Sequence, residues 1–257
     1  MIPEFLSLPD RRLAYQRLSA TSIMSVTKGV DKSGVVFLGG FASDMTGTKA
    51  SFLHDRCAEA GLGYLRFDYQ GHGQSGGAFE DGTIGLWLED TLAAFDRLTA
   101  GPQLVIGSSM GGWLGLLLAV ARPDRVAALV GISAAPDFTE DLIWAQLSAD
   151  QRAQLQKDGR IADPTAPPDQ QAPITLRLIE EGRKHLILRA PIGLKCPVHL
   201  LQSQRDNEVP WQHALRIAEQ IAHDDVRVTL IKDSDHRLSR PQDLELLWRA
   251  VMMLAGI

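Results

Sequence analysis

In the run Gln103-Leu104-Val105-Ile106-Gly107-Ser108-Ser109-Met110-Gly111-Gly112-Trp113-Leu114, a short apolar segment meets Gly-Ser-Ser-Met-Gly and passes straight into a second apolar segment that continues to Ala121. This is G-x-S-x-G set between a strand and a helix. A sharp turn at that point strains the backbone of the central serine, and the glycines on either side leave room for neighbouring chain. Ser109 is therefore expected to project from the top of a sheet. A serine hydroxyl is a weak nucleophile alone, so the pattern demands a histidine to take its proton, an acid to orient that histidine, and backbone N–H groups to hold an oxyanion.

A second match, Gly73-Gln74-Ser75-Gly76-Gly77, serves as an internal control. It too follows a strand-like run, but it continues into Ala78-Phe79-Glu80-Asp81-Gly82, which has no immediate helical pattern, so context selects Ser109 over Ser75. The same loop, Asp68 to Gly76, contains a G-x-G-x-x-G. It does not read as a dinucleotide fingerprint: its strand is not the first of the fold, no helix opens on the last glycine, and no acidic residue ends a following strand at the required distance.

Outward from the elbow, strands and helices alternate at short intervals. Towards the N-terminus lie a hairpin (Phe5 to Leu8 and Arg11 to Leu18 about Pro9-Asp10), an apolar strand Val35 to Leu38, a mixed helix reaching Ala60, a strand Tyr64 to Phe67 and an amphipathic helix Thr83 to Leu98. Towards the C-terminus, Arg122-Pro123-Asp124 ends the elbow helix and Val126 to Ile132 is another buried strand. Alternation of this kind is the signature of a parallel sheet covered on both faces. From Ala134 to Pro191 no strand-like run appears: Asp141 to Leu147 and Ala149 to Lys157 look helical, 163–168 is a proline-rich loop, and Ile174 to Leu188 reads as a longer amphipathic helix. The pattern then resumes with the strand Val198 to Leu201, a helix Trp211 to Ala222, the strand Val226 to Ile231 and a closing helix Gln242 to Leu254. The expected organisation is one α/β core (1–133 and 191–257) interrupted by a helical cap (134–190). Phe138, Leu142, Ile143 and Trp144 of the cap could form an acyl-binding surface or could pack the cap onto the core.

The partners of Ser109 are sought in the loops after later strands, because strand C-termini of such a sheet converge on one crevice. Of seven histidines, His54 and His213 fall on predicted helices, His185 on the cap helix, His199 within a strand, His223 at a helix end and His72 in the glycine loop. Only His236, in Lys232-Asp233-Ser234-Asp235-His236-Arg237, follows the last strand in a polar loop. By the same logic the acid lies in Gln202-Ser203-Gln204-Arg205-Asp206-Asn207-Glu208-Val209-Pro210; Asp206 is the choice and Glu208 a weaker rival. The order Ser109, Asp206, His236 is that of an α/β-hydrolase triad. The oxyanion donors are expected at Met110, directly after the nucleophile, and at Phe41, where Gly40 lets the loop after the Val35 strand approach.

At 257 residues, 45% hydrophobic and 22% charged, the composition is that of an ordinary soluble globular chain, and a net charge of −5 argues against a nucleic-acid or anionic-membrane surface. The two cysteines, Cys57 and Cys196, have no metal-like spacing and read as small buried hydrophobes in a reducing compartment. The longest apolar run is too short to span a bilayer. Neither a metal nor a cofactor is expected, and oligomeric state is not encoded in any pattern found.

With these residues in view, the chain resembles the α/β-hydrolase superfamily from about Val35 to Leu254. GGFASDMTGTKA, RFDYQGHGQSGG, GSSMGGWL, ARPDRVAALVG, CPVHLLQSQRDNEVPW and KDSDHRLS look like the branch of mitochondrial palmitoyl-protein thioesterases that also act as acyl-glucuronide esterases. The resemblance implies hydrolysis of small-molecule acyl esters or thioesters, with Ser109, Asp206 and His236 at the triad positions. The N-terminus, Met1-Ile2-Pro3-Glu4-Phe5, has no mitochondrial presequence, from which a bacterial-type cytoplasmic relative is expected. Two alternatives stand beside it: a peptidase-like amide hydrolase using the same triad, for which the pair Glu180-Glu181 is a candidate amine-binding feature, and a non-catalytic ligand-binding member of the fold.

Overall fold

The computed structural model describes residues 2–20, 34–162 and 172–256. Eight strands form one sheet in the order β1-β2-β4-β3-β5-β6-β9-β10. Here β1 is Glu4–Ser7, β2 Arg12–Leu18, β3 Gly34–Leu38, β4 Gly63–Phe67, β5 Gln103–Ser108, β6 Val126–Ile132, β9 Val198–Ser203 and β10 Val226–Ile231. The β1–β2 hairpin is antiparallel, with Leu8 N–H donating to Arg11 O across its turn, and β2 joins β4 antiparallel; all other pairings are parallel. The expected α/β-hydrolase architecture is thus present, hairpin at the sheet edge included.

Strand side chains alternate between two apolar layers, as a pleated sheet buried on both faces requires. Val36, Leu38, Leu65, Phe67, Val105, Leu129 and Leu200 enter one core, with Trp87 and Phe95 of α2 (Ile84–Leu98), Trp113 and Leu114 of α3 (Met110–Ala121), and Ala214 and Ile217 of α6 (Gln212–Gln220). Val35, Phe37, Tyr64, Leu104, Ile106, Val130 and Leu201 enter the other, against Leu53 and Cys57 of α1 (Thr48–Glu59) and Leu247 and Val251 of α7 (Pro241–Ala255). Both cysteines are buried, and burial pushes the Cys57 thiol up to about 12 and the Cys196 thiol to about 11. Neither is a ready nucleophile.

The segment between β6 and β9 departs from the sequence expectation. It contains a short ladder, β7 (Arg160–Ala162) antiparallel to β8 (Pro173–Thr175), where no strand was expected. Three residues per strand are too few to produce a period-two pattern. The expected helix Asp141 to Leu147 is a wide π-type turn over Thr139–Ile143 followed by a 3-10 turn over Trp144–Gln146. The expected helix from Ile174 begins only at Leu176: α5 spans Leu176–Gly182, capped by the Thr175 side chain, and gives way to a 3-10 turn over Arg183–His185. Only α4 (Ala149–Asp158) matches its expectation, opened by a Ser148–Gln151 capping box and closed by Gly159 in the left-handed region. The loop 163–168 lies outside the described residues.

The segment is tied down at its start by Asp137, which is fully buried and has a φ of 61°. Its carboxylate accepts from Ile187 N–H (2.7 Å) and Leu188 N–H (3.0 Å), while His213 Nε2 of α6 donates to Pro136 O (2.9 Å).

The elbow shows why glycine stands where it does. A Cβ on Gly111 would lie 2.1 Å from Leu38 O and 2.6 Å from Gly39 O, and one on Gly107 would lie 2.3 Å from Gly111 O. These obstacles are backbone and cannot rotate away. Gly111→Ala is therefore expected to lose at least about 3 kcal/mol of stability or to be insoluble, a result that a urea melt or expression yield would read out; a variant as stable as the parent would show that the strand and helix can part.

Candidate active site

The sheet order reverses between β3 and β5. The loop after β3 and the turn after β5 therefore open side by side onto a crevice at the strand C-termini, where open α/β sheets bind ligands. Ser109 sits on the turn between β5 and α3 with φ 53° and ψ −117°, a conformation that costs a non-glycine residue of order 1–3 kcal/mol. Three backbone bonds hold it there: Ser109 N–H to Ile132 O (2.9 Å), and Gly112 N–H (2.8 Å) and Ala135 N–H (3.1 Å) to Ser109 O.

His236, in the loop between β10 and α7, places Nε2 3.1 Å from Ser109 Oγ and Nδ1 2.8 Å from Asp206 Oδ2. Because the carboxylate only accepts, the proton sits on Nδ1, leaving Nε2 to accept from the serine hydroxyl. Asp206, in the loop after β9, has no exposed side-chain surface. Its Oδ1 accepts from Glu208 N–H and Val209 N–H (2.9 Å each), and Oδ2 also accepts from Gln202 Nε2 (2.9 Å). Burial works to raise this carboxyl, but the His236 hydrogen bond and charge and the two backbone donors outweigh it and hold Asp206 below the usual carboxylate range.

Several residues fix this geometry without any sequence signal that marks them. Ser133 Oγ donates to His236 O (2.8 Å), Lys49 Nζ to Arg237 O (2.5 Å), and Ser203 Oγ to Ser234 O. Ser234 Oγ in turn donates to Asp243 Oδ2 (2.7 Å). These partners are 9 to 188 positions apart in the chain, so only folding pairs them.

The loop after β3 reaches Ser109 through Gly40, where a Cβ would sit 3.4 Å from both Ser108 O and Ser109 Cβ. Phe41 follows, its ring against Phe79 (centroids 4.9 Å apart) and Phe138 (5.8 Å). The glycine loop after β4 braces this segment: Asp68 accepts from Met45 N–H (2.7 Å) and Gln74 N–H (2.9 Å), and Tyr69 OH donates to Gly39 O (3.2 Å). Ser75, the rival serine, donates to Asp68 O (2.6 Å) and accepts from Ala14 N–H (2.9 Å), which makes it a strut between loop and hairpin.

A cavity of about 570 Å³ opens on Ser109 and His236. Phe41, Ala135, Phe138, Leu142, Ile143 and Val209 give it an apolar part; Thr46, Thr48, Lys49, Glu208, Arg237 and Ser239 give it a polar one. Phe138 and Leu142 are therefore among the residues around the cavity, and both are also part of the buried core. Trp144 is elsewhere: it is absent from this lining, and the guanidinium groups of Arg183 and Arg152 lie over its ring, 4.9 and 5.1 Å from the centroid. Glu181 is engaged structurally, accepting from Gly85 N–H (2.9 Å) and His185 Nε2 (2.7 Å), while Glu180 is exposed and neither lines the cavity. The remaining histidines also have local partners. His72 Nδ1 donates to Gln70 O (3.2 Å) and burial pulls that imidazole down to about 4, His199 bonds Thr229 Oγ1 (2.8 Å), His54 meets Asp55 (3.1 Å), and His223 accepts from Asp225 N–H (3.1 Å).

A mostly parallel sheet, a strained serine on its central strand-turn-helix and a crevice at the switch point define an α/β-hydrolase, and the comparisons agree. A family model described as "Serine aminopeptidase, S33" matches residues 31–174, and the chain belongs to this family of hydrolases. It is 38% identical over 245 residues to "Palmitoyl-protein thioesterase ABHD10, mitochondrial" of Bos taurus, covering 95% of this chain and 76% of that one, and 36% identical to the Homo sapiens protein of the same name with the same coverage. Among solved structures, a putative hydrolase from Agrobacterium vitis S4 superposes with a TM-score of 0.88 at 40% identity, over 98% of this chain and 97% of that one. Mouse alpha/beta hydrolase domain-containing protein 10 also gives 0.88, at 34% identity, over 100% and 99%. No helix among the described residues is long and apolar enough to cross a membrane.

Proposed function

We infer that this chain cleaves acyl esters and thioesters through an acyl-enzyme on Ser109. The observation that carries the inference is the unbroken line Ser109 Oγ, His236 Nε2, His236 Nδ1, Asp206 Oδ2, with links of 3.1 and 2.8 Å. Neutral His236 takes the hydroxyl proton as Oγ attacks the acyl carbon, Asp206 stabilises the resulting imidazolium, and the proton passes to the departing alcohol or thiol. Water then attacks the acyl-enzyme by the same route in reverse and releases the acid. Met110 N–H, at the unpaired first turn of α3, and Phe41 N–H, on the loop that Gly40 brings against Ser109, are the assigned oxyanion donors. The names of the ABHD10 relatives support a thioester among the substrates.

The segment 134–190 is assigned as a cap that roofs the apolar part of the cavity with Phe138, Leu142 and Ile143. Small-molecule acyl groups fit its volume, which lies in the range of ordinary ligand pockets. The peptidase alternative loses its amine-binding feature, since Glu181 is spent on Gly85 and His185.

Treatment with a fluorophosphonate followed by peptide mapping tests the assignment directly: the adduct is expected on Ser109, and an unlabelled Ser109 in folded protein overturns it. The acyl side has its own test. Leu142→Phe adds bulk to the apolar part and is expected to lower the ratio of kcat/KM for p-nitrophenyl octanoate over acetate by about tenfold. An unchanged ratio would move the acyl chain to another part of the cavity.

A further inference from the structure

Asp206 is not the only carboxylate directed at the imidazole. Glu208 Oε2 lies 3.6 Å from His236 Nε2, the nitrogen opposite the one that Asp206 holds. Both acids come from one tight turn, in which Asp206 Oδ1 accepts from the backbone of Glu208 and Val209, so the bond that orients the triad acid also sets where Glu208 leaves the chain. Their environments differ. The Asp206 side chain is fully buried, whereas that of Glu208 is 37% exposed and lines the polar part of the cavity.

We propose that Glu208 is a positioning residue for proton transfer, a second carboxylate whose charge steadies His236 from the Nε2 side while Asp206 steadies it from Nδ1. This rests on the assignment of Ser109 as nucleophile and His236 as base. At 3.6 Å Glu208 lies farther from Nε2 than Ser109 Oγ does at 3.1 Å, so the serine keeps the hydrogen bond and Glu208 acts through its field. When the Ser109 proton moves to Nε2, the new positive charge forms between two carboxylates. The proton then continues to the leaving group and none passes to Glu208, so the proton count of the cycle closes.

The charged groups around His236 are Asp206 and Glu208 from the loop after β9, Lys49 from α1, which donates to Arg237 O, Asp44 in the lining from the loop after β3, and its own neighbours Asp235 and Arg237. Lys49 and Arg237 oppose Glu208, and the site is open to water, so the effect is that of a screened charge: about half a pH unit for a unit charge near 4 Å in a water-like medium.

The test is the pH profile of kcat/KM for a neutral ester, p-nitrophenyl acetate, from pH 5 to 9, for the parent and Glu208→Gln. In 20 mM salt the acid limb of Glu208→Gln is expected about half a pH unit below that of the parent, because removing a negative charge disfavours protonation of the base. In 0.5 M NaCl the two limbs are expected to draw together, and the severalfold lower plateau expected at low salt is expected to recover with them. Coincident limbs at low salt overturn the proposal even if the plateau falls, since a purely structural role would lower rate without moving the limb. Ser109→Ala run in parallel separates the two levels: activity retained there removes the underlying assignment, whereas loss there with coincident limbs removes Glu208 alone.

Discussion

Ser109→Ala is expected to lower kcat/KM for any ester substrate by at least about 10⁴-fold while leaving the fold intact. The substitution removes one oxygen whose hydrogen-bond partner is His236 Nε2 at 3.1 Å, and it keeps the Cβ that the turn already accommodates at φ 53°. The three backbone bonds that pin residue 109 use only its N–H and C=O, so they survive. Thermal unfolding should therefore shift by no more than about a few degrees. Activity on p-nitrophenyl esters measured alongside the melting curve checks both halves; turnover within tenfold of the parent at an unchanged Tm would remove Ser109 from the chemistry.

Asp206→Asn is the second large effect, with an expected loss of about 10⁴-fold in kcat. The amide matches the carboxylate in size, but the site presents four donors: two backbone N–H groups on Oδ1, and Gln202 Nε2 and His236 Nδ1 on Oδ2. An asparagine with its oxygen towards the backbone turns its NH₂ on His236, which favours the tautomer with the proton on Nε2, where it blocks acceptance from Ser109. Raising the pH cannot restore that tautomer, so the loss should persist across the alkaline range. A profile that recovers above pH 9 would contradict this account.

The same carboxyl couples stability to pH. Asp206 is held below its unfolded value of about 3.9, and Asp243, where burial is outweighed by Arg240 and Ser234, is depressed as well. A depressed acid contributes stability that is fully present above the unfolded value and is lost as pH falls through the folded one. In both Asp206→Asn and the double variant with Asp243→Asn, the fall in Tm below pH 4 is expected to be shallower than in the parent.

How far the amino-acid sequence alone carried depended on the range of each interaction. The elbow is local: five consecutive residues specify the strained turn, and the structure places Leu38 O and Gly111 O where a side chain on Gly111 or Gly107 would have to go. The core strands were legible because each is a compact apolar run, and the sheet buries both of its faces. Asp206 and His236 were legible by their places after the last two strands, since topology sends those loops to one crevice. Among the described residues from 134 to 190, the elements other than α4 are three to seven residues long and held by distant partners, such as Asp137 on Ile187 and Leu188, so local periodicity misassigned them. Trp144 looked like a pocket residue because it is large and apolar and stands beside Leu142, yet its ring faces Arg152 and Arg183.

The sequence by itself therefore determined the fold class and the elbow and pointed to the two loops that meet at Ser109, because those features follow from periodicity, chain order and sterics within a few residues. The tertiary structure alone decided which side of the imidazole each carboxylate takes. Asp206 and Glu208 are two residues apart, and nothing in their order distinguishes them. A turn that buries one against four donors and leaves the other at the solvent edge of the cavity does so, because hydrogen-bond satisfaction is a property of the assembled site and not of the chain.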